Sequence, residues 1–132
     1  METDKHMPYS PAGRSYLHGR LWSFVFAFRG LRFFFRTGAN ARIQLLLFGV
    51  MIAAAIVLGV TAMESIALLL LSGSVFAAEM VNTCLELLLD HLAPGFHPVV
   101  GRIKDLAAGA VLLLSAVAFT GGLLIFLPKI LS

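Results

Sequence analysis

The feature that most constrains this chain is a continuous apolar stretch at residues 43–63, which contains no charged side chain. A helix of about 20 such residues is long enough to cross the hydrocarbon core of a bilayer. Two further apolar stretches follow, at about 65–89 and 105–128. The chain is 59% hydrophobic and only 13% charged, and a soluble core of this size is too small to bury so much apolar surface. The sequence therefore predicts an all-α membrane protein with three transmembrane helices.

The region before these spans carries seven of the ten Lys and Arg residues. Residues 1–16 are polar and rich in helix-breaking residues, so we expect a flexible tail and no cleavable signal peptide. Residues 17–36 predict an amphipathic surface helix that opens the membrane domain at 17–132. Its aromatic and basic side chains favour contact with anionic lipid head groups. Nucleic acid is excluded as a partner because the rest of the chain is apolar, and a plain interfacial anchor remains an alternative.

The distribution of basic residues predicts the orientation of the spans. Arg102 and Lys104 lie in the predicted connection at residues 90–104. The connection near Glu64 holds no Lys or Arg. Because loops rich in Lys and Arg stay in the cytoplasm, we predict that the N-terminus and the 90–104 connection are cytoplasmic.

Polar residues form a stripe on the second span. Glu79, Asn82, Glu86 and Asp90 follow the spacing i, i+3, i+7, i+11, which places them on one helix face. A carboxylate at the centre of a membrane helix costs about 2.5–3.5 kcal/mol on insertion scales, so two of them indicate a function. The deeper one suits a proton acceptor, and the shallower ones suit Mg²⁺, which prefers oxygen ligands. Hydrogen bonding between helices and a proton or ion pathway remain alternatives.

Lys104 and Asp105 stand at the predicted start of the third span. A Lys at a helix N-terminus is suited to binding a polyphosphate. The alternative is structural, since Lys and Asp at a helix start also serve as a snorkelling anchor and an N-terminal cap.

Three segments carry a resemblance to a known family. They are RLWSFVFAFRGL at 20–31, EMVNTCLELLLD at 79–90 and HPVVGRIKDLAAGAVLL at 97–113. In order and spacing they resemble the small prokaryotic diacylglycerol kinase and undecaprenol kinase family. The resemblance implies ATP-dependent phosphorylation of a membrane lipid alcohol, with Mg²⁺ as cofactor. It also implies a homotrimer in the bacterial inner membrane.

The resemblance implies roles for the stripe on the second span. Glu79 would be the catalytic base that takes the proton from the lipid hydroxyl. Asn82 would orient the site, and Glu86 would bind the metal on ATP.

Further roles follow outside that stripe. Asp90, Lys104 and Asp105 would contact the nucleotide or its metal. Arg20 and Ser23 would position the lipid substrate beside the surface helix.

One segment departs from the family pattern. The family has a metal-binding Glu in a Glu-x-Asn-x-Arg-x-His segment, whereas this chain has Gly38 in place of the Glu and Gln44 in place of the His. Asn40 and Arg42 are retained. Three alternatives remain open. Asp90, Asp105 or a water replaces the missing Glu, or the enzyme is slow or uses a different metal arrangement. The third is a catalytically impaired member that binds nucleotide or lipid or assembles with other membrane proteins.

Overall fold

The computed structural model describes residues 16–95 and 97–131, with the side chains of 16–21 and 39 outside the described set. The helices, in chain order, are α1 (Tyr16–Thr37), α2 (Ala39–Val57), α3 (Ala62–Leu92) and α4 (Pro98–Leu131). All regular secondary structure in the described ranges is helical. The last three helices are long and apolar enough to cross a membrane. The prediction of an all-α membrane protein is confirmed, while the tail predicted at 1–16 falls almost wholly outside the described residues.

The chain divides into two compact units, Met1–Phe33 and Phe34–Ser132. In the first unit, the described side chains belong to α1. The large aromatic residues of this unit are exposed, among them Trp22, Phe24 and Phe28. The Arg29 guanidinium lies 5.6 Å from the centre of the Phe26 ring. Exposed aromatic rings combined with arginines are typical of helices that lie in a membrane interface.

The second unit holds the three spans, and α2 ends earlier than the sequence pattern predicts. Gly59 adopts φ +60°, a left-handed conformation that side chains with a Cβ disfavour. The Gly59 N–H donates to the Ile56 carbonyl and the Val60 N–H donates to the Ala55 carbonyl. This pair of bonds is a Schellman motif, which satisfies the last carbonyls of a helix. The apolar run therefore breaks at Val57, although apolar residues continue to Met63.

The start of α3 is capped by two reciprocal hydrogen bonds. The Thr61 hydroxyl accepts from the Glu64 backbone N–H, and the Glu64 carboxylate accepts from the Thr61 N–H at 2.6 Å. This capping box satisfies N–H groups that have no intrahelical acceptor. Glu64 therefore lies in the first turn of α3, not in a connection between spans. Its carboxylate also pairs with the Lys129 ammonium at 3.1 Å, near the end of α4.

The connection between α3 and α4 is shorter than predicted. Proline removes a backbone hydrogen bond and is unfavourable in a helix interior, and Pro94 stands just after Ala93, the C-terminal cap of α3. Pro98 begins α4, at the first helical position, where its fixed φ and missing N–H are tolerated. The third span thus begins seven residues before the predicted Asp105, and Lys104 lies inside α4.

The two longest helices form the main packing contact of the second unit, α3 against α4. A Cβ on Gly121 would lie 2.5 Å from the Leu71 Cδ1 atom, so the glycine permits the close approach of the two helices. On the other side of α3, the Phe76 ring makes edge contacts with Phe35 and Phe48, at 5.9 and 5.8 Å between centroids. No residue of α4 is buried within the chain.

Candidate active site

The polar stripe on α3 contains the two buried polar residues of the described chain, Glu79 and Asn82. Glu79 is 5% exposed and Asn82 is 6% exposed, whereas Glu86 is half-buried and Asp90 is exposed. The other buried residues in the described ranges are apolar: Phe34, Ala41, Leu68 and Val75. The stripe therefore passes from a buried carboxylate to an exposed one over three helical turns. Burial of a polar group costs free energy unless a partner compensates it.

Asn82 is held by Glu86. The Asn82 amide nitrogen donates to the Glu86 carboxylate at 3.1 Å, an i, i+4 pair on one face of α3. This bond orients the Asn82 amide and leaves one Glu86 oxygen outside it. The other Asn82 amide atom, Oδ1, is buried and accepts no hydrogen bond from any described residue. Buried polar atoms in native proteins almost always have a partner, so Oδ1 is available as a hydrogen-bond acceptor or an oxygen ligand.

The exposed end of the stripe contacts α4. The Lys104 ammonium forms a hydrogen-bonded ion pair with Asp90 Oδ1. The Lys104 side chain is 33% exposed and that of Asp90 is 67% exposed. Since both remain accessible, an anion that approaches from the water can compete with Asp90 for the ammonium.

The remaining predicted site residues are Asp105, Ser23 and Arg20. Asp105 follows Lys104 on α4 and is exposed. Ser23 lies on α1 and is exposed, and the Arg20 side chain is outside the described set. The described part of the second unit thus brings together the stripe and Lys104.

Gly38 stands at the N-cap of α2, between α1 and the first span. Its φ of −80° and ψ of 115° are extended values that any residue adopts. A Cβ there would lie 3.1 Å from the Phe34 carbonyl oxygen and 3.1 Å from the Ala41 Cβ. A Glu at this position therefore suits the backbone conformation but requires its neighbours to shift by a few tenths of an ångström.

The donor set on α3 fits a hard cation. Glu86, Asn82 and Glu79 supply oxygen atoms on one face, and the free Asn82 Oδ1 is one of them. Mg²⁺ binds through one or two carboxylates and completes its shell with water and substrate phosphates. Within the described residues no three His, Cys, Asp or Glu side chains cluster in a way that could hold a metal ion by themselves.

Two features of this unit escaped the sequence interpretation. The Thr61-x-x-Glu64 pattern is a capping-box signature, and the sequence alone carries it. The second feature is Gln44, whose Oε1 atom is buried without a hydrogen-bond donor from any described residue. In the sequence, position 44 stands out only as a departure from the family pattern, because burial of its amide depends on how the helices pack.

Comparison with known proteins identifies a matching family and two similar proteins. Residues 25–126 match the family model described as prokaryotic diacylglycerol kinase. A Bacillus subtilis protein named undecaprenol kinase is 33% identical over 108 residues, which cover 82% of this chain and 88% of that protein. A Synechocystis protein named diacylglycerol kinase is 36% identical over 113 residues, which cover 85% of this chain and 65% of that protein. No solved structure matches.

Proposed function

Because this chain belongs to the prokaryotic diacylglycerol kinase family, we propose that this lipid kinase transfers the terminal phosphoryl group of ATP to the hydroxyl of a membrane lipid alcohol. The acceptor is undecaprenol or diacylglycerol, the alcohols in the names of its relatives. The reaction takes place at the cytoplasmic face of the bacterial inner membrane, with the N-terminus in the cytoplasm. The chain acts as a homotrimer.

The observation that carries this proposal is a buried carboxylate on the same stripe as an acid that pairs with a partly exposed cation. Glu79 is 5% exposed within an apolar span, and its stripe leads to the Lys104–Asp90 pair on the same side of the α3/α4 hairpin. At about 1.5 Å per residue, Glu79 lies about 16 Å along α3 from Asp90. This is the arrangement needed when one reactant comes from lipid and the other from water.

Each of these residues has a separate role in phosphoryl transfer. The lipid oxygen forms a bond to the terminal phosphorus of ATP while the bond from that phosphorus to the bridging oxygen breaks and ADP leaves. Glu79 accepts the hydroxyl proton. Lys104 neutralises charge on the phosphates, and Asp90 keeps its ammonium in place. Arg20 and Ser23 hold the lipid beside α1, and Asp105 contacts the nucleotide.

Magnesium completes the proposal. Glu86 would hold the ion, and Asn82 would orient the Glu86 carboxylate through the hydrogen bond at 3.1 Å. When bound, a divalent cation stabilises the negative charge on the transferring phosphoryl group.

The test is Glu79→Gln in the purified full-length protein, reconstituted in vesicles with labelled ATP and a lipid alcohol. Removal of a general base lowers the rate by about 10²–10⁴-fold, so we expect kcat to fall by at least 100-fold. Glu64→Gln is the matched control, because it makes the same change on the same helix at the opposite end of the span. Wild-type turnover in Glu79→Gln would remove this carboxylate from the mechanism.

A second candidate function rests on Gly38. Where the resemblance leads one to expect a metal-binding Glu, Gly38 has no side chain, and a Cβ there meets two atoms at 3.1 Å. The alternative is therefore a catalytically impaired member that binds nucleotide or lipid, or that assembles with other membrane proteins. It predicts nucleotide binding without turnover, whereas the kinase predicts both.

A further inference from the structure

Two ion pairs fix how the antiparallel helices α3 and α4 are aligned along each other. At one end the Lys104 ammonium pairs with Asp90, and at the other end the Lys129 ammonium pairs with Glu64. Twenty-five positions separate the two lysines on α4, and twenty-six separate the two acids on α3. Because the two counts agree to within one residue, each position on α4 can be matched to the position opposite it on α3 by counting from either pair.

Counting from the Lys104–Asp90 pair places Ser115 opposite Glu79. Ser115 is eleven positions after Lys104, and Glu79 is eleven positions before Asp90. At about 1.5 Å per residue, both therefore lie about 16 Å from that pair, at one depth in the span. Counted from the ion pair at the other end, they are fourteen and fifteen positions away, so both pairs give the same match.

Ser115 also lies on the side of α4 that faces α3. Eleven residues make about three full turns of an α-helix, so Ser115 and Lys104 share one side of α4, just as Glu79 and Asp90 share one side of α3. That side of α4 faces α3, because Lys104 reaches Asp90 across it. Ser115 and Glu79 therefore repeat the relation of Lys104 to Asp90 three turns deeper in the span.

The two helices are close enough at this depth for such side chains to meet. The axes of packed helices are about 8–10 Å apart. A Cβ on Gly121, less than two turns beyond Ser115, would lie 2.5 Å from the Leu71 Cδ1 atom, so α3 and α4 pack tightly there. Glutamate has a long side chain and serine a short one, and the Lys104–Asp90 pair likewise combines a long side chain with a short one.

The Ser115 hydroxyl is available as a donor. Hydroxyls inside membrane helices often donate to the carbonyl one turn earlier, as the Thr120 hydroxyl does to the Ala116 carbonyl at 2.8 Å. Ser115 forms no such bond with a described residue. It is half-buried and lines an apolar cavity of about 420 Å³ between the three spans, so its hydroxyl has space to rotate between staggered positions.

The Glu79 carboxylate needs a donor. It is buried in an apolar span, and no described side chain donates a hydrogen bond to it. A buried charge is costly unless hydrogen bonds compensate it, and an ionised carboxylate only accepts them, whereas a serine hydroxyl donates one. The two groups are therefore complementary.

We infer that Ser115 is a positioning residue for Glu79. Its hydroxyl rotates toward α3 and donates a hydrogen bond to one oxygen of the Glu79 carboxylate, which leaves the other oxygen to accept the proton of the lipid hydroxyl. No covalent bond of Ser115 forms or breaks. This inference rests on the proposed lipid kinase function and adds a residue of α4 to its site.

The test compares Ser115→Ala with Ser72→Ala in the full-length protein in vesicles, supplied with ATP, Mg²⁺ and a lipid alcohol. Ser72 is the matched control because it is also half-buried and lines the same cavity, but it lies seven positions, or about 10 Å, from Glu79 along α3. Because hydrogen bonds to charged groups are stronger than neutral ones, we expect Ser115→Ala to lower kcat about tenfold. Ser72→Ala should keep the wild-type kcat. The KM for ATP should not change in either variant, because Lys104 is about 16 Å from Ser115.

A second pair of variants separates the hydroxyl from its packing. Ser115→Thr and Ser115→Val give side chains of nearly the same shape, and only threonine keeps a hydroxyl. We expect the kcat of Ser115→Thr to stay within threefold of the wild type and that of Ser115→Val to fall as in Ser115→Ala. Equal losses in the Thr and Val variants would assign the effect to packing and overturn the inference. This pair also serves if Ser115→Ala does not fold.

Infrared spectroscopy adds a measurement that does not depend on turnover. The carboxyl bands of Glu79 are the bands that the wild type has and Glu79→Gln lacks. Ser115→Val should shift these bands, whereas Ser115→Thr and Ser72→Ala should leave them in place. Unshifted bands in Ser115→Val, or wild-type kcat in Ser115→Ala, would overturn the role of Ser115 while leaving the lipid kinase intact. If the wild type phosphorylates no lipid alcohol, the proposed function fails, and the bands alone decide whether Ser115 donates to Glu79.

Discussion

We expect Asp90 to have a different role from the one that the family resemblance implies, and Asp90→Asn tests this expectation. The resemblance makes this carboxylate a ligand of the nucleotide or its metal. In the structure the carboxylate binds the Lys104 ammonium. We therefore expect Asp90 to act through Lys104, as a positioning residue.

The expected size of the Asp90→Asn effect follows from the exposure of the Asp90 and Lys104 side chains. The two side chains are 33% and 67% exposed, and pairs this accessible contribute about 0.2–1 kcal/mol because water screens them. One kcal/mol corresponds to about a fivefold change in an equilibrium constant. Asp90→Asn should thus raise KM for ATP by no more than about fivefold, with kcat nearly unchanged. By contrast, Lys104→Met removes a charge that stabilises the transferring group and should lower kcat/KM by about 10²–10³-fold.

The assay is a double-mutant cycle with Asp90→Asn, Lys104→Met and the double variant, each measured as kcat and KM for ATP in vesicles. A residue that acts only through Lys104 has no effect once Lys104 is gone, so the double variant should equal Lys104→Met. A further drop of tenfold or more in the double variant would refute the reasoning and return Asp90 to the nucleotide.

Two further predictions follow from glycines of known conformation. The kcat of Gly38→Glu should be within threefold of the kcat of Gly38→Ala. The Ala variant is the control because its Cβ also lies 3.1 Å from the neighbouring atoms. A rise in kcat of tenfold or more that is specific to Glu would support the impaired-member alternative instead. Gly59→Ala should lower the free energy of unfolding by about 1–2 kcal/mol, since Gly59 has φ +60° and a Cβ disfavours that region. In thermal unfolding in detergent, the control Gly49→Ala should instead be neutral or stabilising, because Gly49 lies inside α2 and alanine favours a helix interior.

The helix boundaries illustrate how far sequence reasoning reached. The number of spans was predictable because hydropathy over about 20 residues is a property of composition. The break after Val57 was not predicted, because it depends on the φ of one glycine and on two hydrogen bonds from Gly59 and Val60. The true start of α4 at Pro98 was indicated by proline chemistry, but charged residues at 102–105 made the segment resemble a loop.

The candidate site likewise has features that the sequence predicts and features that depend on how the helices pack. The i, i+3, i+7, i+11 spacing placed Glu79, Asn82, Glu86 and Asp90 on one face, because helical geometry alone relates positions on one helix. The hydrogen bond from Asn82 to Glu86 belongs to this local class. The Lys104–Asp90 pair does not, because it joins residues of two helices.

By itself, the sequence determined that the chain is helical, that three of its segments suit a bilayer, and that one face of the second span carries carboxylates. These are local properties, set by side-chain chemistry and by the 3.6-residue repeat. Only the tertiary structure decided which carboxylate is buried, which acid meets Lys104, and that the Gln44 amide oxygen is buried. Such relations depend on how deep each helix lies against its neighbours, and hydropathy carries no information about that register.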